Sequence, residues 1–209
     1  MSLDNLSFDD PDDELNVFSA YDLVLSYRDI TDLDWGEVAE RRLIEQRRGL
    51  VVLQATVLED LIDDFIMYLA DAPDQNAYYE KLVKKTMGPR VEKLEDLMKE
   101  KGLNDARGKE LIERLKRIVE RRNLLAHGIL QLQPVENVKL PLKKAFELEW
   151  VIVDRRSGVS QRLSMLQLRK DFYEVIDCFY LMLSYMDHML KIAPKPKHFK
   201  GGMYLTLPD

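Results

Sequence analysis

The sequence predicts a mainly α-helical protein, an antiparallel up-and-down bundle of four to five helices with a small β-hairpin inserted at about residues 146–163. Three observations carry this prediction. Apolar residues recur at helical period through three long segments, about 35–70, 109–126 and 165–190. Clusters of Pro, Gly and Asp punctuate the chain between helical stretches. Period-two alternation appears at Phe146, Leu148, Trp150 and Ile152.

Residues 1–16 are acidic and poor in apolar side chains, around Asp9-Asp10-Pro11-Asp12-Asp13-Glu14, so residues 1–30 are expected to form a partly disordered N-terminal arm. A short amphipathic piece at about 17–27 precedes a loop at 29–34. From Trp35 to Ala70 there is no proline, and Ile44, Val51, Leu58, Ile62, Phe65 and Leu69 recur along one stripe, which predicts one long helix or two abutting ones. Asp71-Ala72-Pro73-Asp74 ends it. Residues 78–87 and 91–101 read as shorter helices separated by Gly88-Pro89, and Asn104 or Asp105 can cap the helix that follows.

That helix, about residues 109–126, places Leu111, Leu115, Ile118, Val119, Arg122 and Leu125 in one stripe. Arg122 stands mid-stripe, where leucine would be the ordinary choice. A cation on an apolar face calls for an anionic neighbour. Glu113, Arg114, Lys116, Arg117, Glu120 and Arg121 supply the solvated face, with Glu113 and Arg117 spaced for an i,i+4 pair. His127 lies five positions beyond Arg122, roughly 140° around the helix, so the two side chains cannot stack on one face. Gly128 predicts a left-handed helix stop that presents His127 at the lip of whatever cleft Arg122 lines.

After Gly128, Pro134 and Pro141 interrupt the helical pattern, and the turn-rich stretch 154–158 joins the alternating run to a second short strand at 159–163. From Met165 to Leu190 the helical pattern returns, with Phe172, Val175, Ile176, Phe179, Leu183 and Met186 as its expected buried face. The bundle is therefore placed at 31–193, followed by an irregular tail at 194–209.

The chain has 209 residues, enough for one medium domain with a sizeable core. Its formal charge of −6 argues against a surface that binds nucleic acid by bulk electrostatics and leaves local basic patches open. The single cysteine, Cys178, falls in an apolar helical run and cannot form an internal disulfide, so a cytoplasmic setting is expected. No apolar run approaches a membrane span, and no signal-peptide pattern opens the chain.

The stretch Arg122-Asn123-Leu124-Leu125-Ala126-His127, at a helix end in a helical context, resembles the Arg-(four to six residues)-His motif of the HEPN superfamily. The resemblance covers about residues 38–130 and 165–190, and its specific part is this motif. It implies an up-and-down bundle with the motif ending an inner helix. The implied activity is that of a metal-independent endoribonuclease, without a cofactor, in which Arg122, Asn123 and His127 are catalytic. HEPN domains commonly add an acidic or polar residue from a neighbouring inner helix. Glu59 and then Asp63, on the flank of the 35–70 stripe, are the candidates to partner Arg122, whereas Asp60 and Asp64 are expected to point further into solvent. The resemblance further implies RNA as substrate and a homodimer in which two motifs meet. It also implies a toxin–antitoxin or antiviral defence setting, with an antitoxin or nucleotidyltransferase as partner.

The residue types suit that chemistry. Cleaving RNA without a metal requires deprotonating a ribose 2′-hydroxyl, stabilising a phosphorane dianion and protonating the departing 5′-oxygen. An imidazole can carry a proton either way, and an arginine fork matches phosphate oxygens while keeping its charge. Blander readings stand beside this one. His127 can be a helix-capping histidine favoured by the dipole. Lys81, Lys84, Lys85 and Arg90 can be a solvated face or a phosphate track. The carboxylates of 59–64 can suggest metal ligands, but His188 and His198 lack ligand-like spacing. The main alternative is a noncatalytic HEPN-like module that binds nucleotide or RNA or scaffolds other proteins.

Overall fold

In the computed structural model, which describes residues 35–134, 148–192 and 196–204, helix α1 runs uninterrupted from Trp35 to Ala70. It is followed by α2 (Gln75–Leu82), α3 (Met87–Glu100), α4 (Ala106–His127), β1 (Ile129–Pro134), β2 (Leu148–Val153), β3 (Ser160–Arg162) and α5 (Met165–Ile192). Helix accounts for 70% of the described residues, and the three strands form one antiparallel sheet in the order β1-β2-β3. The acidic arm, the amphipathic piece at 17–27, the loop at 29–34, Pro141 and Phe146 lie outside the described residues. The chain divides into two compact units within α1, Met1–Arg48 and Gly49–Asp209. In the first, Arg41 and Glu45 form an i,i+4 pair on α1.

In the second unit the predicted stripe of α1 is the core, with Val51, Leu58, Ile62, Phe65 and Leu69 all buried. Toward its C-terminal end the helix is covered on every side, and all residues from 61 to 69 are buried. Asp64 is therefore not in solvent as its helical position suggests. Its carboxylate accepts the Tyr204 N–H (2.6 Å) from the C-terminal tail.

Helix α3 begins at Met87, ahead of the expected start, and includes Gly88-Pro89 in its first turn. A proline there forfeits only an N–H that has no intrahelical partner, so it opens the helix rather than separating two. Asp105 caps α4 by accepting the Gly108 N–H (2.7 Å). The solvated face of α4 pairs differently from expectation, with Arg117 reaching Glu174 of α5 (3.6 Å) and Glu113 facing Lys116 (3.8 Å). Helix α4 packs against α3 and α5 and meets β2 at its end.

Helix α5 is rotated relative to the predicted face. Val175 and Met186 are buried as expected, but Cys178, Met182, Tyr185 and Met189 fill the core, while Phe172, Ile176, Phe179 and Leu183 are only half-buried. Apolar side chains occupy too wide an arc of this helix for periodicity to set its phase. Tyr185 makes an edge contact with Phe65 of α1 and donates its hydroxyl to the Leu103 carbonyl (2.7 Å). Burial pushes the Cys178 thiol up to about 12, which keeps it protonated and unreactive.

The predicted hairpin is present as β2 and β3, and β1 adds a third strand that the sequence reading does not assign. Gly128 ends α4, but not by a left-handed turn, because its φ and ψ of −68° and 153° are extended. Its glycine is required by close approach instead. A Cβ there would lie 2.5 Å from Ile152 Cγ1 and 2.6 Å from the Leu124 carbonyl oxygen. Gly128→Ala is expected to cost about 1–3 kcal/mol by overpacking, since fully buried Ile152 has no room to yield. The denaturant midpoint measures it, and an unchanged midpoint would contradict the close packing.

The tail is strapped to the end of α1. Asp71 adopts the left-handed conformation (φ 43°) just beyond the helix, and its carboxylate accepts the N–H groups of Lys197 (2.8 Å), His198 (2.6 Å) and Phe199 (3.1 Å). Phe199 and Tyr204 then pack edge-on against Tyr68 and Phe179. Burial tends to raise the Asp71 pKa, but the three backbone donors outweigh it and hold the carboxyl below its ordinary value. A lowered carboxyl pKa stabilises the fold above the ordinary aspartate value of about 3.9, and that contribution is lost as pH falls through the lower folded value. The amide resonances of residues 197–199 should titrate with a midpoint below 3.9 in NMR spectra. In Asp71→Ala the same amides should lose their protection from hydrogen exchange at neutral pH.

Candidate functional site

The end of α4 and the β2–β3 turn together build an open cleft of about 480 Å³, in which Arg122, Asn123 and His127 meet Arg155 and Arg156. The sheet register explains the meeting. His127 is separated by one residue from Ile129, which pairs with Val153, so the turn that begins at Asp154 is held beside the helix end. Within that turn the Asp154 N–H donates to Val159 O (3.0 Å) and the Gly158 N–H to Asp154 O (2.9 Å), with Gly158 at φ 70°. The Asp154 carboxylate accepts the Arg156 N–H (2.8 Å), which keeps it ionised below the usual carboxylate range. The cleft therefore carries three arginines and His127 against Glu120 and Asp154.

His127 and Asn123 are exposed, and Arg122 is half-buried. Arg122 Nη1 donates to the Asn123 side-chain oxygen (3.2 Å), while its Nε is shut from solvent with no acceptor among the described residues. The sequence motif is thus assembled as one accessible surface. Its Asn is the neighbour that orients the arginine.

The acidic partners lie elsewhere. Glu59 and Asp63, the candidates for Arg122, are taken by Arg90, at 3.5 Å and 2.7 Å. Arg90 is itself 8% exposed and not part of a solvated face. It also donates to the carbonyls of Val83 (3.0 Å) and Lys85 (2.9 Å), closing the connection between α2 and α3. Burial raises the Asp63 carboxyl to about 7 against the pull of Arg90, with Glu59, Asp60 and Asp64 adding to the rise. This cluster is a structural lock built on the flank of α1 that the sequence assigned to the site. Lys81, Lys84 and Lys85 are exposed, on a solvated face; Tyr79 beside them is exposed too, and Trp150 is buried.

Arg155 and Arg156 were not singled out by sequence. Their signal is a pair of basic residues in a turn, which becomes meaningful only with the pairing of β1 and β2. Among the described residues no group of three His, Cys, Asp or Glu side chains is placed to hold a metal ion.

Fold and site together define a mainly helical protein with a basic, solvent-open cleft at the end of an inner helix. No described helix is long and apolar enough to cross a membrane. Comparison of the chain with family models, curated proteins and solved structures gave no match.

Proposed function

We propose that the protein is a metal-independent endoribonuclease of HEPN type, with His127 as general acid–base and Arg122 stabilising the phosphorane. The observation that carries this reading is that Arg122 and His127 line the same open cleft, with Arg155 and Arg156 beside them. A cleft with several guanidinium groups suits a phosphodiester, since arginine forks pair with phosphate oxygens and hold charge through the reaction. Asn123 holds the Arg122 guanidinium in place.

Each chain offers one histidine to this cleft, and cleavage needs both a base and an acid. The reading therefore includes a homodimer in which two copies of the site meet across a twofold axis. A toxin–antitoxin or antiviral defence role, in the cytoplasm and opposite an antitoxin or nucleotidyltransferase, belongs to the same proposal.

The test is incubation of the purified protein with mixed structured RNA in the presence of chelator, beside His127→Ala, with the chemistry of new ends determined. Cleavage that yields 2′,3′-cyclic phosphate and 5′-hydroxyl ends and disappears in the variant is the expected result. Cleavage that chelator abolishes, or that His127→Ala leaves intact, would overturn the mechanism. RNA binding through Arg122 without cleavage would assign the cleft to the noncatalytic alternative.

A further inference from the structure

Arg122 also lines a second cleft, of about 450 Å³, whose other charged lining residues are Arg117 and Arg121 of α4, Arg162 of β3, and Asp171 and Glu174 of α5. Buried polar atoms are nearly always satisfied, so those that are not point to something missing. Among the described residues five buried side-chain polar atoms have no hydrogen-bond partner, and three of them belong to this cleft: Arg121 Nη2, Arg122 Nε and Glu174 Oε1, the last facing Arg117 in an ion pair of 3.6 Å that is too long for a hydrogen bond. Arg121 is fixed in orientation, because its Nε donates to Asp171 (2.6 Å) and its Nη1 to Gln161 (3.1 Å), which leaves the buried Nη2 as the donor without an acceptor.

The three orphans define a chemistry. Two guanidinium N–H donors fit phosphate oxygens, and the exposed forks of Arg117 and Arg162 at the same cleft would take the flanking phosphates of a strand. A carboxylate oxygen repels phosphate and requires a hydroxyl or N–H donor. Inorganic phosphate can offer Glu174 only its own P–OH, which draws the anion against the carboxylate, whereas a ribose phosphate offers a hydroxyl set apart from its anion for Glu174 to accept. Ile118 and Val175, both buried, form the floor of the cleft. The volume is in the range of small-ligand sites, about 300–1,000 Å³.

We propose that this second cleft binds one ribose-phosphate unit of an RNA strand whose neighbouring phosphodiester lies beside His127, with Arg122 shared between the two. The strand assignment rests on the proposed ribonuclease reading; the ribose-phosphate chemistry does not. In a strand the 3′-oxygen is esterified, so the hydroxyl offered to Glu174 is the 2′-OH. Glu174 therefore discriminates RNA from DNA at this position.

The experiment uses His127→Ala protein, so that RNA is not consumed, and fluorescence anisotropy with an end-labelled single strand of about ten nucleotides. The matching DNA serves as comparison and AMP as the free-nucleotide probe. Arg117 and Arg162 are largely exposed, at 62% and 75%, and their ion pairs with Glu174 and Glu149 are surface pairs that contribute little to stability, so Arg117→Gln/Arg162→Gln keeps the fold. It should weaken RNA binding about tenfold and flatten the slope of log K against log salt by about 1.4, the value for two lost phosphate contacts on a single strand. Glu174→Ala should bring RNA affinity down toward that of DNA.

Unchanged RNA affinity and salt slope in the arginine variant would overturn the proposal. AMP binding that depends on Arg117 and Arg162, with RNA binding that does not, would make this a free-nucleotide site and overturn the strand assignment. Arginine-dependent RNA binding by a parent protein that does not cut RNA would support this cleft while overturning the ribonuclease reading. Cleavage and binding that both ignore the arginines would do the reverse.

Discussion

Arg90→Met lowers the unfolding free energy by about 3–5 kcal/mol at pH 8, the loss expected when one partner of a buried ion pair is removed. Methionine fills a similar volume, so the loss is electrostatic rather than a cavity. Without Arg90, the buried Asp63 carboxyl has no cation beside it, Glu59 loses its partner, and the carbonyls of Val83 and Lys85 lose their donor. The pH dependence identifies the cause. Asp63 titrates near 7 in the fold against about 3.9 unfolded, so the folded state binds more protons in that interval and stability falls as pH rises from about 4 to about 7. Removing Arg90 raises the carboxyl further. The deficit of the variant is therefore smaller at pH 5, where Asp63 is protonated in both proteins, and larger at pH 8. Denaturant titrations at the two pH values measure this, and a deficit independent of pH would show that Asp63 is not what Arg90 serves.

On the proposed ribonuclease reading, His127→Ala is expected to reduce the single-turnover rate of RNA cleavage by about 10²–10⁴, the range for loss of a positioned proton carrier. Arg122→Lys, which keeps the charge and loses the planar fork, reduces it by about 10²–10³, as for loss of one transition-state donor. His127 is exposed at a helix terminus, so His127→Ala leaves the unfolding free energy within about 1 kcal/mol of the parent, the scale of the lost dipole interaction. A rate loss with preserved stability separates chemistry from folding. Equal rates in parent and His127→Ala would remove His127 from the reaction.

The helices were legible where one period dominated. In α1 the stripe from Val51 to Leu69 sets both the extent and the buried direction, and in α4 the Asp105 cap and the stripe through Leu125 do the same. Helix α5 was legible in extent but not in phase, because apolar side chains fill more than one face. Gly128 marked the correct boundary for a different physical reason, since crowding by Ile152 is invisible without β2. Strand β1 left a signal in the alternation of Leu130 and Leu132 with Gln131 and Gln133, masked by its attachment to a helix end. The Asp63–Arg90 pair spans 27 residues and has no local signature, so nothing in the flank position of Glu59 and Asp63 could choose Arg90 over Arg122. Arg155 and Arg156 were hidden likewise. Their place beside His127 follows from strand register, a long-range property.

The carboxylates of Asp64 and Asp71 receive their backbone donors from residues 126 to 140 positions later in the chain. Closing so long a ring carries a loop entropy that nearby contacts do not. The end of α1 is thus written early in synthesis and finished late. Until residues 197–204 arrive, two acidic side chains at the helix terminus lack their N–H donors, and the edges of Tyr68 and Phe179 lack their aromatic cover. The elements of the second unit pack mainly against their neighbours in the chain, so the docking of residues 197–204 is the long-range step that helix formation does not prepare.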